Sequence, residues 1–188
     1  YADVLINDSI WSINPVNSVV LDAGNIRISN LELYNSSQSL TIDGMVPYTQ
    51  NDTLAVSLHK FDLSTLDFLY QGMGLDLDGI INGRAFVSDI RENLTLLADL
   101  NIDHLGLNGE KVGDASIYSQ WNQENKSIDL DVELLNQEKK VLMLNGAYYT
   151  KRENDNLDFK LGLDGLNLAI LSPFLSGFMQ RFQGLCQG

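Results

Sequence analysis

The chain has 188 residues, a formal net charge of −13, 44% hydrophobic residues and 20% charged residues. It is long enough to bury a substantial core and too apolar for an intrinsically disordered chain. An acidic surface of this size is repelled by nucleic-acid phosphates and anionic headgroups, which argues against a DNA-binding module or a polybasic membrane clamp. One cysteine, Cys186, rules out an intrachain disulfide and leaves both cytosol and periplasm open. No apolar run approaches the ~18 residues that span a bilayer, and no secretory leader is expected at the start.

Taken in chain order, alternation of apolar and polar residues predicts strands at 17–22, 26–34, 38–47 and 53–60. A short helix follows at about 62–71, where Asp62 or Ser64 is a candidate cap and Leu66, Leu69 and Tyr70 form the apolar stripe. Strands resume at 80–88 and 94–102. In "LTLLADLNI" Leu94, Leu96, Ala98, Leu100 and Ile102 share one face, with Thr95, Asp99 and Asn101 on the other. After a strand at 112–122, "SIDLDVELL" sets Ile128, Leu130, Val132 and Leu134 opposite Asp129, Asp131 and Glu133. A strand at 139–149 precedes "LDFKLGLDG", where Leu157, Phe159, Leu161 and Leu163 line up on one side. Turn-rich stretches, "YNSSQ", "PYTQND", "NQENK" and "KRENDN", separate many of these strands. A last helix is predicted at about 173–182: Ser172-Pro173 is a good start, and Phe174, Leu175, Phe178, Met179 and Phe182 recur at helical spacing. The expected fold is mainly β, an antiparallel sheet with one wet and one dry face and short helices packed against it.

The pattern repeats. "SLTIDG" ending at Gly44 matches "VLMLNG" ending at Gly146, Leu54 matches Leu157, and Gly79 and Gly83 match Gly184 and Gly188. We therefore expect two units, 1–88 and 89–188, each running from strands through a helix to a Gly-x-x-x-Gly strand, in a piece of a longer repetitive chain. Glycine inside a strand marks a bulge, a bend or close backbone approach.

Chemistry-bearing constellations are sparse. His59 and His104 stand apart from further ligands at metal-site spacing, and Cys186 lacks an activating cation nearby in sequence. Alternation turns the acid pairs Asp76/Asp78 and Asp129/Asp131 to solvent, and the spacing of a calcium loop is missing. There is no nucleophile elbow, HExxH helix or Walker motif. We expect no enzymatic activity and no cofactor. Sequons at Asn35, Asn51, Asn93 and Asn125 are what an asparagine-rich chain produces by chance.

In order along the chain stand "IWSINP" at 10–15, "IRISNLEL" at 26–33, "LTIDG" at 40–44, "FDLSTLDFL" at 61–69 and "LDGIING" at 77–83. They continue with "VGDASIYSQWN" at 112–122, "LNGAYY" at 144–149 and "LNLAILSPFLSGF" at 166–178. Together they resemble the TamB branch of the AsmA-like proteins, in a Bacteroides-type form, over essentially the full chain. The resemblance implies a long curled sheet, a β-taco or open half-barrel trough with an apolar lining. It implies a periplasmic segment of a bridge anchored in the inner membrane, moving phospholipid to the outer membrane and supporting outer-membrane biogenesis. It also implies a BamA-like outer-membrane partner contacted by regions outside this chain.

A sheet of this size with few helices must fold on itself, receive helices or leave an apolar groove. The groove residues are then Leu94, Leu96, Leu100, Ile102, Ile128, Leu130, Val132, Leu134, Leu157, Phe159, Leu161 and Leu163, with phospholipid acyl chains as the ligand. Two readings compete: a scaffold that binds client strands by edge augmentation, and a closed carbohydrate-binding sandwich with a surface aromatic cluster. Trp11 and Trp121, far apart in sequence, make the sandwich the weaker rival.

Overall fold

The computed structural model describes residues 2–46, 52–70, 74–89, 95–152 and 154–164. The helix expected at 173–182, Leu94, Cys186, Gly184 and Gly188 lie outside the described residues.

The chain is one twelve-stranded antiparallel sheet. In chain order the strands are β1 (Ala2–Ile6), β2 (Ser9–Ile13), β3 (Ser18–Asp22), β4 (Asn25–Asn35), β5 (Gln38–Met45) and β6 (Thr53–Asp62). They continue as β7 (Leu77–Ser88), β8 (Thr95–Leu107), β9 (Glu110–Asn122), β10 (Ser127–Asn136), β11 (Lys139–Tyr149) and β12 (Leu157–Leu163). Spatial order follows chain order from β1 to β12, except that β3 leaves the path and pairs β4 alone. The first half of β4 binds β3 and its second half binds β2, so two short strands share one long partner. The sheet does not close into a barrel: β1 and β12 are its two ends.

The local chemistry explains this meander. Two-residue turns join Ile6 to Ser9, Asp22 to Asn25, Asn35 to Gln38, Leu107 to Glu110 and Asn136 to Lys139. Asn7-Asp8, Ala23-Gly24, Asn108-Gly109 and Gln137-Glu138 have positive φ at both residues, the turn whose twist matches that of paired strands. Between β6 and β7 the chain instead forms a helical turn, Leu63–Leu66, and α1, Asp67–Tyr70. Asp62 caps it, accepting from the Ser64 backbone N–H at 3.0 Å. The Tyr70 hydroxyl donates to the Leu63 carbonyl. Burial, aided by the Asp67 carboxylate, pushes the Tyr70 phenol well above its ordinary pKa and keeps that donor protonated.

Register sorts the two faces. One row of cross-strand partners reads Ile13, Leu33, Leu40, Leu58, Gly83, Leu100, Ile117, Val132, Leu144 and Leu161, apolar or glycine at every position. The row one residue away reads Glu32, Thr41, Ser57, Arg84, Asp99, Tyr118, Asp131, Asn145 and Lys160. The sheet thus has one apolar and one polar face along nearly its whole width.

The apolar face is the inside of a curl. Trp11 on β2 and Phe61 on β6 are separated by β4 and β5, which in a flat sheet would hold them roughly 14 Å apart. Their ring centroids lie 5.5 Å apart. The tip of the β1–β2 hairpin reaches the same place, where Asn7 Nδ2 donates to the Ser64 carbonyl at 2.8 Å.

Three bulges mark the curl, and each is latched the same way. Asn30 on β4, Lys60 on β6 and His104 on β8 have positive φ at breaks of register. Their backbone N–H groups donate to Asp43, Asn82 and Asp114 on the next strand, at 2.8, 2.7 and 2.8 Å. Beside each latch stands a glycine: Gly44, Gly83 and Gly113, with φ between +120° and +137°. A Cβ at any of them would stand within 2.2 Å of a carbonyl oxygen on the following strand. These positions require glycine because the neighbouring backbone occupies the space of a side chain.

Candidate functional site

The inside of the curl is filled unevenly. One rim carries the turns at 35–38, 107–110 and 136–139 and the helical connection of residues 63–70. Near it lies the core: Trp11, Phe61, Leu63, Ile81, Ile102, Leu107, Val112, Leu134 and Val141, all buried. The opposite rim carries the connections after β5, β7, β9 and β11. Toward that rim the apolar face is left uncovered among the described residues. A hollow of about 390 Å³ opens there, walled by Leu96, Ile117, Ile128, Leu130, Tyr148 and Phe159. Its volume lies at the lower end of ordinary ligand cavities, roughly 300–1,000 Å³.

A fault in the sheet makes the floor of this hollow. The β8–β9 ladder starts at Asp99 and Tyr118. Before it the Ser119 side chain substitutes for a strand: its hydroxyl accepts from the Ala98 N–H at 2.8 Å and donates to the Leu96 carbonyl at 3.0 Å. Ala98 and Ser119 also line a larger hollow, about 720 Å³, whose other walls include the polar-face residues Ser57, Arg84, Asp99, Tyr118 and Gln120. Ala98 and Ser119 thus form a thin partition between the apolar hollow and a polar one.

The twelve residues expected to line a groove fall into three groups. Leu96, Ile128, Leu130 and Phe159 wall the hollow together. Ile102 and Leu134 are core residues, with Leu100 packed against that core, and Val132 is half-buried between the regions. Leu157, Leu161 and Leu163 are exposed on the end strand β12, at 62%, 54% and 40%. Leu94 lies outside the described residues. Sequence reasoning missed Ile117 and Tyr148. Ile117 belongs to a strand whose alternation Ser119 interrupts, and Tyr148 stands beside a second tyrosine on the other face.

The remaining polar candidates have structural partners. His104 is exposed, with Nδ1 3.7 Å from Asp114 Oδ1, and its backbone is one of the latched bulges. Asp129 accepts from Ser127 and Asn122, and Asp131 accepts from Asn145. Among the described residues no group of three or more His, Cys, Asp and Glu side chains is placed to hold a metal ion. No described helix is long and apolar enough to cross a membrane. Trp11 is buried at 1% exposure and Trp121 is half-buried, so the two tryptophans make no joint surface platform. Compared with known protein families, curated proteins and solved structures, the chain matches none.

Proposed function

We propose that this chain is a non-enzymatic, lipid-carrying segment of a TamB-like bridge in the periplasm, part of an inner-membrane-anchored protein, whose apolar face holds phospholipid acyl chains. The observation that carries the reading is the hollow that the described residues leave uncovered on the inside of an open, curled sheet. Aliphatic and aromatic side chains wall it, and the polar row on the other face keeps the outside wet. Each methylene removed from water there is worth roughly 0.8 kcal/mol, so even partial cover of one acyl chain offsets the cost of ordering it.

The test is native mass spectrometry of the chain purified from bacterial membranes, followed by lipid extraction of the same sample. The reading predicts phospholipid at reproducible stoichiometry. A lipid-free, monodisperse chain would contradict it and favour edge augmentation instead. That alternative rests on β3, where Val19, Val20 and Leu21 are 58%, 49% and 73% exposed beside an edge unpaired among the described residues.

A further inference from the structure

Nearer the rim, at the ends of β9 and β11, a second cavity of different chemistry lies beside the apolar hollow. That cavity, about 480 Å³, is lined by Thr95, Trp121, Gln123, Lys126, Thr150 and Lys151, among others. The two lie side by side: Trp121 pairs with Ile128 across the β9–β10 ladder, and Thr150 follows Tyr148 by two residues. An amphiphile whose tail lies on Leu96, Ile128 and Tyr148 would therefore bring its head into the polar cavity.

The charges there run against the rest of the molecule. Only 12 of the 188 residues are lysine or arginine, against 25 acids, yet the turns after β9 and β11 each deliver a lysine to this one cavity. Neither Lys126 nor Lys151 has an ion-pair partner among the described residues, whereas Lys139 and Lys140 near the other rim are paired with Asp164 and Glu133. The cavity's one carboxylate among its lining residues, Asp89, is 2% exposed and engaged within the protein. The Gln123 amide and the Thr150 hydroxyl add neutral polar groups. In a chain of net charge −13, two ammonium groups without an ion pair among the described residues, beside an apolar hollow, complement a phosphate diester attached to acyl chains.

We propose that Lys126 and Lys151 form a headgroup site that makes this hollow selective for an anionic phospholipid. The proposal rests on the lipid-carrying reading above and specifies its ligand. The two side chains would hold the phosphate at the rim while the acyl chains lie on the apolar wall, fixing which end of the lipid faces the rim.

The experiment compares capture of phosphatidylglycerol and of diacylglycerol with identical acyl chains, by native mass spectrometry. Three proteins are used: the unmodified chain, the double variant Lys126→Gln/Lys151→Gln, and the control Lys139→Gln/Lys140→Gln. All four lysines are exposed, so the variants fold. The unmodified chain and the control should prefer phosphatidylglycerol by roughly thirtyfold, from about fivefold per lysine near a surface. The Lys126/Lys151 variant should hold both lipids equally, with diacylglycerol capture unchanged. Glycerol phosphate in excess should leave the bound lipid in place.

Retention of the preference by the Lys126/Lys151 variant would overturn the proposal, as would its loss in the control, which would make it an effect of total charge. Displacement by glycerol phosphate would likewise overturn it, since the ligand would then be a soluble phosphate ester. If the unmodified chain holds both lipids equally, the headgroup site fails and the groove survives. If it holds neither, the groove reading itself fails.

Discussion

Trp11 shows how much one side chain contributes to the curl. It is 1% exposed and packs on Phe61 from a strand that neighbours neither β6 nor β5, so its burial exists only when the sheet is bent. Its Nε1–H is buried without a hydrogen-bond partner among the described residues, so the residue acts through its bulk rather than its polarity. Trp11→Ala removes the ring and leaves a cavity, and we expect a loss of roughly 3–5 kcal/mol in denaturant unfolding. Trp11→Phe discards the unsatisfied N–H along with some volume and should cost clearly less. Equal losses for both variants would contradict this account of the residue. Nothing near residue 11 in the sequence foretells the contact, because Trp11 and Phe61 lie on strands that meet only through the curvature of everything between them.

At the scale of the element, the unit is a pair of strands: one carrying a latched bulge, the next a glycine that lets the following strand approach. The offset between Gly44 and Gly146 was legible because both close an alternating run with Asp-Gly or Asn-Gly. Gly83 and Gly113 on the strands between make the same kind of close approach, Gly146 included, with the next strand's carbonyl oxygen 2.0–2.2 Å from an added Cβ. A period of two strands therefore runs from β5 to β11. Gly83→Ala would put a methyl group 2.1 Å from the Asp99 carbonyl oxygen at a φ of +133°. Gly162→Ala meets nothing closer than the Met143 methyl at 3.5 Å. We expect the first to destabilise by roughly 2–4 kcal/mol and the second by less than about 1 kcal/mol in thermal unfolding. Comparable losses would mean that the close approach at Gly83 does not shape the sheet.

The same bulges limited what alternation reveals. The strand expected at 94–102 continues as β8 to Leu107, because His104 resets the phase and hides the continuation. The β1–β2 hairpin was missed for another reason: its strands have five residues each, and its turn is Asn-Asp without glycine. Strands from β4 to β12 were otherwise readable, since each turns apolar residues to the inside and polar ones to the outside with period two.

For the whole molecule, the question is which part of the inner face the chain fills itself. The apolar set was legible from alternation, and its described members lie on strands whose inner rows align. The division between core and hollow was not. It depends on where the helical connection after β6 folds back, how far the β1–β2 hairpin reaches, and the fault at Ser119, all set by tertiary geometry. Near the helical connection, Ile102 and Leu134 lie in the core, while Leu130 and Phe159 toward the other rim face a hollow. On the proposed function, the half of the curl that carries the hollow would hold the lipid, and the half that carries the core supplies stability.

The most direct measurement is site-specific photocrosslinking from the two faces of β10. A benzophenone side chain is placed at Leu130, which faces the hollow, or at Asp131, whose partners Tyr118 and Asn145 belong to the polar row. The protein is irradiated in cells and its lipid adducts are counted. Position 130 should give phospholipid adducts and position 131 few or none. Equal yields at the two positions, or adducts from position 131 alone, would contradict the lipid-carrying reading.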